Sequence, residues 1–163
     1  MKLTKTVKKR SQLQERSVAK DFGGKQVIAS GALWFSKSDV RSDKCLIECK
    51  TTEKDYYPVT AKVWEKIELE AIRDKRTPLL VVDLEDKNRL VVFSPKYFDR
   101  ANYVDLCSIN PPPKSVRIKY SDVGFDEFGD YTFSRCITIC GKKRNLLCYM
   151  RIEDFIEAFK EEL

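Results

Sequence analysis

The stretch Leu79-Leu80-Val81-Val82-Asp83-Leu84 is almost continuously apolar. Such a run marks a strand buried on both faces, as in a sheet with helices on each side. Just before it, Thr60 is placed to cap a helix running to about Lys75, with a core stripe of Val63, Trp64, Ile67 and Ala71. Before that helix, Cys45 to Thr51 reads as another strand. The helix is long enough to carry the chain across the sheet between parallel neighbours. The fold class is therefore α/β.

The remaining elements fit around this unit. A helix is predicted from Ser11, a good N-cap with Gln14 at capping-box spacing, to the stop Gly23-Gly24. Gln26 to Ser30 and Asp39 to Arg41 read as strands, the latter joined to Cys45–Thr51 by the turn Ser42-Asp43-Lys44. Asp55 to Pro58 reads as a loop. Arg89 to Phe93 returns as a strand, and Ser94-Pro95 starts a short helix. The proline run after Asn110 looks like a boundary. Beyond it lie strand-like Val116–Tyr120, Tyr131–Ile139 and Leu146–Ile152, then an amphipathic helix with Phe155, Ile156 and Phe159. The division expected is a basic arm over 1–10, a core over 11–100, and a β-rich extension over 101–163 that ends in a helix. That extension reads as a small subdomain, a dimerisation element or an added sheet edge.

A chain of 163 residues can bury a single domain's core. With no histidine, it cannot use Ser–His or Cys–His catalysis or a histidine-held zinc. The net charge of +6 hints at a polyanionic partner, and Lys8, Lys9 and Arg10 concentrate that charge near the start. Cys45/Cys49 and Cys136/Cys140 are spaced C-x3-C within strand-like runs, which suits reduced, buried thiols better than zinc knuckles. No apolar run is long enough for a membrane span and no signal peptide opens the chain, so a cytoplasmic protein without a membrane partner is expected.

The strongest chemical signal is Ile47-Glu48-Cys49-Lys50. Alternate residues of a strand share a face, so Glu48 and Lys50 point one way and Ile47 and Cys49 the other. Asp39 lies one hairpin earlier, and its carboxylate can converge with that of Glu48. Two carboxylates and a main-chain carbonyl such as that of Cys49 form a hard-oxygen set suited to Mg²⁺, with Mn²⁺ as substitute. Lys50 beside them can orient or activate a water, or stabilise developing phosphoryl charge. Glu15 shares a helical face with Val18, Ala19 and Phe22, an unusual place for an acid unless it is paired or bound to metal.

The ordered set Glu15, Ser30-Gly31-Ala32, Lys37-Ser38-Asp39-Val40 and Leu46-Ile47-Glu48-Cys49-Lys50-Thr51-Thr52 resembles the PD-(D/E)xK nuclease superfamily. It is most similar to small archaeal and phage-encoded Holliday-junction resolvases, over roughly residues 11–93. The resemblance implies an αβββαβ restriction-endonuclease-like core, a mixed central sheet flanked by helices. It implies an Mg²⁺-dependent endonuclease of recombination and repair that cuts four-way DNA junctions as a homodimer, without a small-molecule cofactor. Asp39 and Glu48, with the Cys49 carbonyl and Glu15, would hold the metal. Lys50 would position the water, and Ser30 would sit on the loop approaching the scissile strand. Asp43 is the alternative aspartate, and the proline that usually precedes the aspartate is replaced by Ser38. The candidate phosphate contacts are Lys8, Lys9, Arg10, Lys37, Lys54, Lys62 and Lys66, with Arg73, Lys75 and Arg76 further along. The same core also serves nicking, repair and restriction enzymes, and a non-catalytic DNA-binding module on this fold is the remaining alternative.

Overall fold

The chain was analysed as a computed structural model, which describes residues 5–27, 38–85, 88–98, 111–125, 129, 131–132 and 134–163. Ser30, Lys37, the Leu33-Trp34-Phe35 stretch and Cys107 lie outside the described residues.

The parallel crossover predicted from the apolar run forms the centre of the molecule. Strand β3 (Cys45–Thr51) pairs in parallel with β5 (Thr77–Asp83), from Cys45 opposite Thr77 to Thr51 opposite Asp83. Between them run β4 (Tyr56–Thr60) and α2 (Ala61–Arg73). Thr60 caps α2, its hydroxyl accepting from the Val63 N–H at 3.2 Å. Trp64, Ile67 and Ala71 are buried as the stripe requires, and Glu68 is buried beside them.

Helix α1 (Lys5–Asp21) leads into β1 (Lys25–Gln26), β2 (Val40–Arg41) and β3, while β6 (Arg89–Phe93) follows β5. Counting the strands of the main sheet, and leaving out β4, the order helix, three strands, helix, strand is the one the resemblance implied. Gly23 takes a φ of 59° after α1, where a Cβ is disfavoured. A Cβ on Gly24 would lie 2.6 Å from the Arg41 carbonyl, so the second glycine lets the chain pass close to β2.

Three expectations are corrected. Residues 5–10 of the expected basic arm are helical and form the beginning of α1. Nothing between Lys5 and Phe22 breaks a helix, and Arg10 anchors this end by donating to the Thr52 and Leu84 carbonyls at 3.2 and 3.1 Å. The predicted loop around Tyr56 is strand β4, because it finds a partner in β7 (Ser115–Lys119) far along the chain. The proline run does not separate two cores. Strands β10 (Ser134–Cys140) and β11 (Arg144–Arg151) form a hairpin, and β11 pairs with β6. The sheet has seven strands in the order β1-β2-β3-β5-β6-β11-β10. The pair β8 (Gly124–Phe125) and β9 (Tyr131–Thr132) stands apart from it, as does β4–β7.

Both sheet faces are covered. On one face Ile47, Leu79, Val81 and Val91 pack with Val18 and Phe22 of α1. The final helix, α3 (Ile152–Ala158), adds Phe155 to this layer. Phe93, Phe98, Phe155 and Phe159 stack there with ring centroids 4.5–5.7 Å apart. On the other face Leu80, Val82, Leu90 and Val92 pack under Trp64 and Ile67 of α2 and under Val59 and Ile118 of the β4–β7 ribbon.

Candidate active site

Strand alternation builds the site. Cys45, Ile47 and Cys49 of β3 all enter the core with α1 and α3. Glu48 and Lys50 therefore project to the opposite face, toward α2 and the ribbon. Val40 pairs with Ile47 and Arg41 with Leu46, and Asp39, just before β2, lies beside Cys49 and within reach of the Glu48 charge. The Asp39 N–H donates to the Ile47 carbonyl at 3.2 Å, one residue off that register, so the regular ladder ends at Val40.

Asp39 is fixed by its own chain neighbourhood. One carboxylate oxygen accepts from the Cys49 N–H at 2.8 Å. A strand residue projects its N–H and C=O from the same edge, so the Cys49 carbonyl also faces the Asp39 side. Glu48 is only 7% exposed and accepts from the Lys50 ammonium at 2.6 Å. Burial and the neighbouring Glu48 push the Asp39 carboxyl up to about 6, against the opposing pull of the Cys49 N–H and Lys50. Burial disfavours the Lys50 charge, but its bond to Glu48 and the charges of Glu48 and Asp39 outweigh that, holding its pKa above the ordinary value. Lys50 is thus an ammonium, suited to stabilising negative charge rather than to taking a proton.

The donor set suits a divalent cation. Two carboxylates and a main-chain carbonyl are hard oxygen donors, and Asp39 and Glu48 repel one another against the pull of the Cys49 N–H and Lys50. Among the described residues, no three His, Cys, Asp or Glu side chains form a ready metal cage. Glu15 is not face to face with this pair. It projects from α1, where it accepts from the Gln26 amide and from the Ser11 hydroxyl, the latter at 3.2 Å. Its charge still reaches Asp39 and Cys49. Asp43 is exposed in the β2–β3 turn, away from the pair.

Gln14, one residue before Glu15, is buried where sequence reasoning saw only a helix cap. Its amide donates to the Lys50 carbonyl at 2.9 Å, tying α1 to the end of the E-x-K strand. Tyr57 was also missed. It lies on the inner side of β4, where burial and Glu48 raise its phenol pKa and Lys50 opposes them. Only the pairing of β4 with β7 sets its direction, and no local motif carries that information.

The basic candidates divide. Lys8, Lys9, Lys54, Lys62 and Lys66 are exposed, as are Arg73 and Lys75. Arg10 is held by two main-chain carbonyls and Arg76 by the Ser42 carbonyl and Asp74, so both act as internal clips. The ribbon adds a cation that the sequence did not single out. Arg117 lies 4.7 Å from the Tyr56 ring centroid and Lys54 lies 5.2 Å from it.

No protein-family model and no curated protein matches the chain. Among solved structures, the chain is similar to Hjc of Archaeoglobus fulgidus, a Holliday junction resolvase from an archaeal hyperthermophile. The two share 16% identity, over 68% of this chain and 88% of that one, with a TM-score of 0.43. No helix among the described residues is long and apolar enough to cross a membrane.

Proposed function

We propose that this protein is a divalent-metal-dependent DNA endonuclease that cuts four-way junctions as a homodimer. One observation carries the reading: the Asp39 carboxylate, held by the Cys49 N–H, lies close enough to Glu48 for the two charges to act on one another, with Lys50 paired to Glu48. Asp39, Glu48 and the Cys49 carbonyl would hold Mg²⁺ or Mn²⁺. The cation supplies Lewis-acid stabilisation of charge on the phosphate.

The chain's own groups do the rest. The Cys49 N–H fixes the Asp39 carboxylate, and Glu48 holds the Lys50 ammonium where negative charge grows on the phosphoryl oxygens. Glu15 acts from the edge of the site through its charge. Lys62 and Lys66 lie on α2, which covers the sheet face bearing Glu48, and with Lys8, Lys9 and Lys54 they are the phosphate contacts. Dimerisation follows from the substrate, since a four-way junction presents two symmetric scissile phosphates.

The test is cleavage of a labelled synthetic four-way junction beside a matched linear duplex, with Mg²⁺ and with EDTA, for wild type and Glu48→Ala. Paired symmetric cuts in the junction alone, lost in EDTA and in the variant, are expected. Equal cutting of both substrates would keep the nuclease chemistry and discard the junction preference. Tight DNA binding without cutting under either metal would overturn the catalytic reading.

A further inference from the structure

We propose that Cys136 and Cys148 are a thiol-oxidation site that closes reversibly into a cross-strand disulfide on reaction with a small-molecule disulfide. The two residues are direct partners in the β10–β11 register, and their sulfurs are in contact. No backbone movement is needed to bring the sulfurs together, which is the usual obstacle to forming a disulfide between two given cysteines. Both residues sit on the sheet face that packs against α1 and α3, opposite to Glu48 and Lys50, so the site is separate from the candidate active site.

Exposure sets the order of the steps. Cys136 is half-buried and Cys148 fully buried, so the reagent meets Cys136 first. With oxidised glutathione, the Cys136 thiolate attacks the glutathione S–S bond. A mixed disulfide forms and one glutathione thiolate leaves. The Cys148 thiolate then attacks the Cys136 sulfur and breaks the mixed disulfide, and the second glutathione thiolate departs. The two protons from the cysteines end on the released glutathione thiols. The cysteine pair loses two electrons and glutathione gains them.

The other described cysteines lack this arrangement. Cys140 lies opposite Arg144 in the same hairpin. Cys45 and Cys49 are buried, and burial raises the pKa of each thiol, that of Cys45 to about 11. They remain protonated and slow to react.

The experiment incubates the full folded chain with oxidised glutathione, alkylates the remaining thiols and maps the tryptic peptides. Lys142, Lys143 and Arg144 lie between the two cysteines, so cleavage separates them unless they are bonded. A linked peptide pair lighter by two hydrogens, lost with dithiothreitol, is expected in wild type and in Cys140→Ser. It should be missing in Cys148→Ser, which instead keeps glutathione on Cys136. Any of three wild-type results would overturn the proposal: alkylation of both residues, a persistent glutathione adduct on Cys136, or linkage of Cys136 to another cysteine. Because the decisive readout is made on wild type, a folding defect in the serine variant leaves the test intact.

Discussion

The two faces of strand β3 differ in almost every respect, although their residues alternate in sequence. Ile47 and Cys49 enter a dry core against α1 and α3. Glu48 and Lys50, their neighbours, form an ion pair on the other face, within reach of the Asp39 charge. The apolar face gains stability from area removed from water, roughly 25 cal/mol per Å². The charged face brings two carboxylates together and gains little stability from doing so. One strand thus separates the source of stability from the proposed source of chemistry, and each can be altered alone.

The widest separation is expected between Asp39→Asn and Ile47→Ala. Asp39→Asn should lower metal-dependent cleavage on the order of 10²–10⁴-fold with almost no change in Tm. Ile47→Ala should instead cost about 2–5 kcal/mol of stability, read by denaturant unfolding, with activity per folded molecule preserved. If Ile47→Ala abolished activity in molecules that remain folded, the division between faces would fail.

Phe155→Ala tests whether the C-terminal segment belongs to that apolar face. Phe155 is fully buried among Phe93, Phe98 and Phe159, so the loss should be about 3–5 kcal/mol in a single cooperative transition. Two separate transitions would show that residues 111–163 form an independent unit.

Glu68 carries a smaller effect with a definite pH dependence. Burial raises its pKa, but bonds from Lys143, Lys96 and Tyr97 outweigh that and lower it overall. A carboxyl with a lowered folded pKa contributes stability above its unfolded value, and that contribution fades as pH falls through the acidic range. Glu68→Gln should therefore cost about 1–3 kcal/mol at neutral pH, because its partners lose a charged acceptor. The gap from wild type should narrow below the ordinary carboxyl value of 4.5, as thermal melts across pH would show. A constant gap would mean that packing of α2, rather than the charge, is responsible.

The smallest effect sharpens the choice of aspartate. Asp43 is exposed in the turn, so Asp43→Asn should leave stability within about 0.5 kcal/mol and cleavage near wild type. Loss of activity in this variant, with Asp39→Asn active, would reassign the carboxylate.

Much of the fold was legible because its signals are local. The Leu79–Leu84 run, the Thr60 cap and the alternation in Cys45–Thr51 each declare an element through residues a few positions apart. The E-x-K spacing put Glu48 and Lys50 on one face, and the short hairpin brought Asp39 to them. The start of α1 was missed because a run of lysines reads equally as an arm or as a helix. The loop expected near Tyr56 became a strand because its hydrogen-bonding partner, Ser115–Lys119, lies far along the chain.

The sequence by itself therefore determined the parallel crossover, the strand bearing Glu48 and Lys50, and the side to which each points, since a strand's two-residue period is a property of the backbone. Only the tertiary structure decided the long-range matters. Among these are the burial of Gln14 against the Lys50 carbonyl, the turning of Tyr57 toward the site, the use of Arg10 as a clip, and the addition of the C-terminal hairpin to β6. Each depends on which surfaces meet once the chain is compact, and side-chain spacing along one segment does not encode which distant strand will complete its hydrogen bonds.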